Sequence, residues 1–201
     1  MKNLKDRIFE RLHITKQTGI QTYKYFPKTK EELQDLIDNL IEERGNEADL
    51  NDIDTSKITS MSNLFKYTDF NGDISNWDVS NVKDMNYMFY ESVFNSEISN
   101  WDVINVENMD HMFAYSYFNS DISNWDVSNV KNMMGMFMSN KEFNIDISKW
   151  DVSNVLDMED MFRFCRYDKD LSDWNINNNC NIKNMFIYSY LENNPPKWYK
   201  K

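Results

Sequence analysis

Residues 70–82 read FNGDISNWDVSNV, and this stretch decides the fold because it returns three times along the chain. The later copies are FNSEISNWDVINV from residue 94, FNSDISNWDVSNV from residue 118 and FNIDISKWDVSNV from residue 143. A fixed period of this length predicts a repeat protein, in which each repeat packs on the next. The tryptophans mark the period, at spacings of 24, 24, 25 and 24 residues: Trp77, Trp101, Trp125, Trp150 and Trp174.

Two weaker copies flank the clear ones. Residues 54–65 repeat the acidic and apolar positions that lie 24 residues further along the chain. At the other end, a degenerate copy runs from residue 170 to residue 194, with asparagines in place of the regular WDVSNV. We therefore expect residues 49–194 to form one elongated domain of about six stacked coils.

Each repeat carries two apolar patterns. Trp77 and Val79 are two residues apart, which predicts a short strand with both side chains on one face. Val82, Met85 and Phe89 recur at helical spacing, which predicts a helix of one or two turns. We expect an α/β solenoid in which every coil holds a short strand, a short helix and a return loop.

The runs DISNWDVSNV at Asp73 and Asp121, with the NMxxMF-type ends at Asn108 and Asn132, resemble the BspA-like leucine-rich repeat surface protein family. The resemblance covers about residues 49–190. It implies a leucine-rich-repeat-like solenoid. It also implies protein binding, since members are mostly bacterial surface or secreted proteins that bind other proteins, and similar repeats occur in gut bacteria and their phages.

The N-terminal segment, residues 1–48, contains the strongest helix signal. Thr29 and Glu32 form a capping-box pattern ahead of an apolar stripe, which predicts a helix over residues 29–43 that ends at Gly45. We expect this helix to cap the first coil, because an open end of a repeat array exposes apolar surface and strand edges.

The two chain ends leave alternatives open. Leu4, Ile8 and Leu12 fit a short amphipathic helix that either packs on its own domain or docks the chain into a larger assembly. The tail, residues 195–201, opens with two prolines that end any helix. Its aromatic residues either pack over the last coil or form a small contact patch: Trp198 and Tyr199.

Charge is concentrated in the repeats. Residues 1–48 carry nine basic and nine acidic residues, whereas residues 49–194 carry 10 basic and 24 acidic ones. Such an acidic surface repels phosphates, so we expect neither nucleic acid nor an anionic membrane as a partner. Neither a signal peptide nor a transmembrane segment is recognisable, which favours a cytoplasmic or virion-associated protein, with surface exposure by a non-classical route as the alternative.

No residue pattern indicates catalysis, a cofactor or a metal, and we expect a protein that is not an enzyme. The recurrent carboxylates stack in columns, and we expect Asx-type hydrogen bonds to nearby backbone N–H groups to hold them. Calcium is the weaker alternative, since the glycine-rich pattern of calcium-binding solenoids is absent. Cys165 and Cys180 are expected to be buried thiols, and His111 an exposed helix position.

The side chains that alternate with Trp77 and Val79 point away from the core in the predicted strands. This surface is polar and acidic, which suits a basic or amide-rich protein partner, and Ile104 at its centre is a candidate hot spot. We call it the acidic face; its predicted partner-binding residues are Asn76, Asp78, Asn100, Asp102, Ile104, Asn124, Asp126, Lys149 and Asp151.

Three functions remain open from the sequence. The preferred one is a non-enzymatic interaction solenoid that binds a protein through its strand face, as a monomer or within a larger assembly. The alternatives are a structural component of an assembly such as a phage particle, docked by the chain termini, and a bacterial surface adhesin.

Overall fold

The computed structural model describes residues 12–15 and 19–199. It begins with an antiparallel hairpin of two strands, β1 (Leu12–Thr15) and β2 (Gly19–Thr22), in which Leu12 pairs with Thr22 and Thr15 with Gly19. The short helix predicted from Leu4, Ile8 and Leu12 falls mostly outside the described residues. Leu12 itself opens β1.

The helix predicted over residues 29–43 is confirmed as α1 (Lys30–Arg44). The Thr29 hydroxyl accepts a hydrogen bond from the Glu32 N–H at 3.2 Å, which caps the first turn. The Glu32 carboxylate in turn accepts from the Lys28 N–H at 2.7 Å, one residue before the position of an ideal capping box. Gly45 ends the helix with a φ of 86°, a left-handed value that favours glycine.

Helix α1 covers the first repeat. Its buried side chains, Leu33, Ile37 and Leu40, join the hydrophobic core of the repeats. The Gln34 side-chain amide donates to the Leu64 carbonyl at 3.1 Å. The equivalent carbonyl in the next repeat is that of Met88. It accepts a hydrogen bond from the Phe65 N–H, which belongs to the repeat before it. Gln34 therefore supplies the donor that a preceding repeat would otherwise provide.

The short helix predicted around Val82 to Phe89 is wrong. The N–H groups of Met85, Tyr87 and Phe89 donate to backbone carbonyls of the next repeat at 2.8–2.9 Å. The N–H of Met88, by contrast, donates to the Met85 carbonyl of its own repeat at 3.2 Å. A helix would direct all of these donors along its own axis. The residues form consecutive turns instead, and turns of this kind bring residues i, i+3 and i+4 to the inside just as a helix does.

Successive repeats are joined in parallel along this segment. Isolated parallel bridges connect equivalent residues from one end of the array to the other: Ser60, Asp84, Asn108, Asn132, Asp157 and Asn181. The bridged residues lie 24 or 25 positions apart, which reproduces the period of the sequence.

The short strand predicted at Trp77 and Val79 is also absent among the described residues. The Trp77 N–H closes a turn on the Ile74 carbonyl at 3.1 Å, and the Val82 N–H closes a second turn on Val79 at 2.9 Å. Only Asp78 lies between the two turns, which is too short a segment for a ladder. The predicted bend between Ile74 and Trp77 is present as the first of these turns.

Aromatic columns fill the core. Consecutive rings of the main column lie 5.5–5.9 Å apart, at interplanar angles of 17° or less: Phe65, Phe89, Phe113, Phe137, Phe162 and Phe186. Each indole N–H is satisfied by the previous repeat, as where Trp125 donates to the Ile98 carbonyl at 3.1 Å. The recurrent methionines of the repeats, such as Met109 and Met112, are buried with these rings, as expected of core residues.

The tail continues the repeat instead of leaving it. Trp198 lies 24 residues after Trp174, stacks on it at 6.3 Å and donates its indole N–H to the Leu171 carbonyl at 2.7 Å. The packing alternative for Trp198 and Tyr199 is thus confirmed, since both contact the core. Just before them, a short 3-10 helix (Tyr190–Glu192) places the Glu192 carboxylate 2.9 Å from the Tyr188 N–H.

Candidate functional site

Most residues of the predicted acidic face reach the surface. Asn76, Asn100, Asn124 and Lys149 are exposed, and each stands immediately before a buried tryptophan. Of the column of carboxylates that follows the tryptophans, Asp78 is half-buried and the later ones are exposed: Asp102, Asp126 and Asp151. This surface is therefore accessible, and its role in binding stays a prediction.

The Asx-type hydrogen bonds predicted for the carboxylates are confirmed. Asp78 accepts from the Ser80 N–H at 3.0 Å, and Asp126 accepts from the Ser128 N–H at 3.1 Å. At Asp151, hydrogen bonds from the Ser153 hydroxyl and N–H lower the pKa of the carboxyl group. Each carboxylate thus stabilises a turn of its own repeat, which offsets the repulsion along the column.

Adjacent members of the acidic face are linked by an asparagine ladder. The side-chain amide of Asn105 donates to the Ser80 carbonyl of the preceding repeat at 2.8 Å, and Asn129 does the same to Ile104. Ile104 is half-buried, and its N–H donates to Asp102 at 3.3 Å. The ladder fixes the backbone beneath the predicted binding residues.

A second surface, on the segment of consecutive turns, was missed from the sequence. Two residues per repeat adopt left-handed backbone angles there, and only one of these positions in the repeats is a glycine, Gly135. The residues at the second position of each pair form a column along the array. In four of the six repeats this residue is an exposed aromatic side chain. Its members in chain order are Tyr67, Glu91, Tyr115, Ser139, Phe164 and Tyr188.

The rings at the N-terminal end of this column form one cluster. Tyr67 is 64% exposed and meets Tyr90 edge-on at 5.6 Å, and Tyr90 meets Tyr115 at 5.5 Å. Tyr87 packs against Tyr90 at 5.2 Å. We call this cluster, with its neighbours, the tyrosine face: Lys66, Tyr67, Tyr87, Tyr90, His111, Tyr115 and Tyr117.

His111 holds part of the tyrosine face in place. Its ring stacks on Tyr87 at 4.8 Å and 5°, and Asp110 hydrogen-bonds its Nδ1. The prediction that His111 is an exposed helix position is wrong, because only 13% of its side chain is exposed and no helix is present. Gly135 makes room for the ring, since a Cβ at residue 135 would lie 2.5 Å from the His111 Nε2.

Burial and nearby carboxylates raise the pKa of two tyrosines of this face, Tyr87 and Tyr90. Burial is the main cause that raises the pKa of Tyr90 to about 12, and the hydrogen bond between its hydroxyl and Glu91 adds to the effect. Burial also raises the pKa of Tyr87, with a smaller contribution from Asp110. These hydroxyls therefore act as hydrogen-bond donors at neutral pH and not as phenolates.

The tyrosine face borders a cavity of about 310 Å³. Tyr115, 44% exposed, and Tyr117, 62% exposed, form its aromatic wall. Lys141 and Glu142, from the loop that holds the extra residue of the period, also line the cavity and contribute charged groups to it. An exposed aromatic wall beside a concave, charged surface is typical of a protein contact site.

A smaller aromatic pair lies in the same column at the C-terminal end. Phe164 and Tyr188 stack at 4.7 Å and 13°, and both are exposed. The guanidinium group of Arg163 lies 5.2 Å from the centre of the Phe164 ring. Arg163 therefore places a cation of the chain beside this pair, as Lys66 does beside the rings of the tyrosine face.

Other chemistry finds little support. Burial raises the pKa of the Cys165 thiol to about 12, which leaves it unreactive, and Cys180 is half-buried. Across residues 12–15 and 19–199, no group of three or more His, Cys, Asp or Glu side chains is arranged to hold a metal ion. No helix in that part of the chain is long and apolar enough to cross a membrane.

Two stretches, residues 32–117 and 115–198, each match the family described as Mycoplasma protein of unknown function, DUF285. The two matches together take in most of α1 and the repeats to Trp198. No curated protein and no solved structure matches the chain.

Proposed function

The chain belongs to the family described as Mycoplasma protein of unknown function, DUF285, and we propose that it is a non-enzymatic repeat protein that binds a protein partner through its tyrosine face. The observation that carries the proposal is the concentration of exposed rings on one surface. Among the described residues, eight large hydrophobic side chains are exposed; three of them belong to the tyrosine face and two more continue its column. Tyrosine is enriched where protein interfaces derive most of their binding energy.

The scaffold beneath this face favours binding without rearrangement. We propose that the coils stack as a leucine-rich-repeat-like solenoid of the BspA-like kind, with residues 49–194 as the array and α1 as its cap. The repeated DISNWDVSNV runs and the parallel bridges between equivalent residues support this proposal. A rigid array presents its rings at fixed spacing, so that little conformational entropy is lost on association.

The tyrosine face is a better candidate than the acidic face for physical reasons. On the acidic face, carboxylates such as Asp126 already accept hydrogen bonds from their own turns. Exposed charges that remain solvated contribute little to affinity, whereas rings that are desolvated on binding contribute more. The residues of the acidic face stay predicted contact residues, and the test below separates the two surfaces.

The test is quantitative affinity capture from the source organism with three versions of the full chain. One is wild type, and a second carries Tyr67→Ser and Tyr115→Ser, which introduce the residue that the same column has at Ser139. The third carries Asp102→Asn and Asp126→Asn, which remove charge from the acidic face and keep acceptors for its turns. Circular dichroism of all three checks the fold.

We expect a specific protein to be retained by the wild type and the asparagine variant, and reduced at least tenfold with the serine variant. Loss on the asparagine variant alone would move the binding site to the acidic face. Equal retention by all three would overturn the proposal.

A further inference from the structure

Three tyrosine rings enclose the ammonium group of Lys66. Its Nζ lies 4.9 Å from the ring centre of Tyr67, 4.6 Å from that of Tyr87 and 5.0 Å from that of Tyr90. Tyr67 and Tyr90 meet at 88°, and Tyr87 and Tyr90 at 48°, so the rings form walls on different sides of the cation. Each ring is within the distance at which a cation is attracted by the π face.

The walls of this cage are held by contacts that do not involve Lys66. Tyr87 stacks on His111, which is hydrogen-bonded to Asp110. The Tyr90 hydroxyl is hydrogen-bonded to Glu91 and its ring meets Tyr115. Two of the three walls, Tyr87 and Tyr90, are therefore held in place by contacts other than those with Lys66.

The surroundings of the cage favour a cation. Glu91 and Asp110 place two carboxylates beside the cage. Within the described residues, Lys66 forms no salt bridge, in contrast to Lys131, whose Nζ lies 2.7 Å from Glu107. An incoming cation would thus displace Lys66 without breaking an ion pair, and the freed lysine would return to water.

We propose that Tyr67, Tyr87 and Tyr90 form a binding cage for an alkylammonium group of a partner, and that Lys66 is its exchangeable resident. The group that fits is a lysine side chain of a protein, free or methylated, since the acidic repeats attract a basic polypeptide. The inference deepens the proposed function and depends on it for the polypeptide that brings the lysine. The cage itself can be tested without a partner.

The experiment is a titration with tetramethylammonium chloride, followed by NMR through the tyrosine ring signals and the ligand methyl signal. Sodium chloride keeps the ionic strength constant. The proteins are wild type, Lys66→Ala and Lys57→Ala. The first substitution introduces the residue that the same column has at Ala114, and the second removes an equal charge from an exposed lysine elsewhere.

We expect Lys66→Ala to bind the probe at least tenfold more tightly than wild type, with an upfield shift of its methyl signal, and Lys57→Ala to behave as wild type. In the Lys66→Ala background, Tyr87→Asn should weaken binding at least tenfold, and Asn63 shows that asparagine suits this left-handed position. Equal affinity of wild type and Lys66→Ala, or unchanged binding after Tyr87→Asn, would overturn the cage.

The source of the ammonium group is resolved by two further probes on Lys66→Ala. A peptide with one trimethyllysine should bind more tightly than the same peptide with glutamine, and phosphatidylcholine vesicles should not bind. Binding of vesicles without the peptide would overturn the assignment to a protein lysine. A working cage with no captured partner would count against the proposed function alone, and a captured partner without a working cage against this inference alone.

Discussion

Phe113 and Tyr115 are two residues apart on the same run of turns, yet they belong to regions under different constraints. Phe113 is fully buried between the rings of Phe89 and Phe137, and every repeat has phenylalanine at this position. Tyr115 is 44% exposed, and its column also contains Glu91 and Ser139. The core column must match its neighbours above and below, whereas the outer column is free to vary, and a binding site can be built there without loss of the stack.

The largest expected effect is at the core. Phe113→Ala removes a ring that stacks on both neighbours, and we expect it to lower the free energy of unfolding by about 3–5 kcal/mol. Urea denaturation followed by tryptophan fluorescence measures the change. A loss below about 1 kcal/mol would show that the core column tolerates a gap and that the comparison with Tyr115 fails.

A buried polar residue should come next. The side-chain NH₂ of Asn140 donates to the Ser116 hydroxyl and the Phe118 carbonyl, at 3.2 and 3.0 Å. Its side-chain oxygen accepts from the backbone N–H groups of Glu142 and Phe143, each at 3.0 Å. Asn140→Ala leaves several of these groups unpaired, and we expect a loss of about 2–3 kcal/mol in urea denaturation. The matched control is Ser92→Ala in the same column, which removes the hydrogen bond to the Phe94 N–H and should cost about 1 kcal/mol.

The acidic columns should give a smaller effect per residue, visible through pH. Hydrogen bonds from the Ser123 and Ser148 N–H groups lower the pKa of Asp121 and Asp146 in the folded protein. A lowered folded pKa adds stability above the unfolded value of about 3.9, and this is lost as pH falls through the folded value. The urea midpoint should therefore fall between about pH 4 and pH 2. Asp121→Asn should flatten this slope slightly, and an unchanged slope would contradict the assignment.

The smallest effect on stability is expected on the outer column. Tyr115→Ser removes an exposed ring and introduces the residue found at Ser139, so the free energy of unfolding should change by less than about 0.5 kcal/mol. The same variant should still weaken partner capture, because Tyr115 connects the cluster at Tyr90 to the cavity beside Tyr117. A large fall in the urea midpoint would place Tyr115 with the core and erase the contrast with Phe113.

The sequence predicted what repeated burial dictates. Trp77 and its equivalents set the period, Phe89 and its equivalents set the core column, and Thr29 with Gly45 set the limits of α1. The sequence did not predict the path of the backbone between these recurrent core residues. Apolar residues at Val82, Met85 and Phe89 fit a helix and a run of turns equally well, because spacing does not show which repeat receives each N–H.

The tyrosine face escaped prediction for a related reason. Tyr87 and His111 adopt left-handed backbone angles without being glycine, so their letters gave no turn signal. The resulting interpretation made His111 an exposed helix position, placed Tyr87 inside the predicted helix and assigned the residues after Phe89 to a return loop. The usable signal was the recurrence of aromatic residues at a polar, exposed column, at Tyr67, Tyr115 and Tyr188.

The hydrogen bond from Gln34 to the Leu64 carbonyl has a consequence for assembly. Along the run of turns, each repeat donates backbone N–H groups to the next repeat and offers carbonyl acceptors to the one before. The two ends of this run are therefore complementary, and unprotected copies would join head to tail into a fibre. At the N-terminal end, the Gln34 side chain of α1 already donates to the Leu64 carbonyl, so this acceptor does not receive a backbone N–H from another copy. At the other, the Glu192 carboxylate engages the Tyr188 N–H. We expect these two contacts to oppose head-to-tail association of the array.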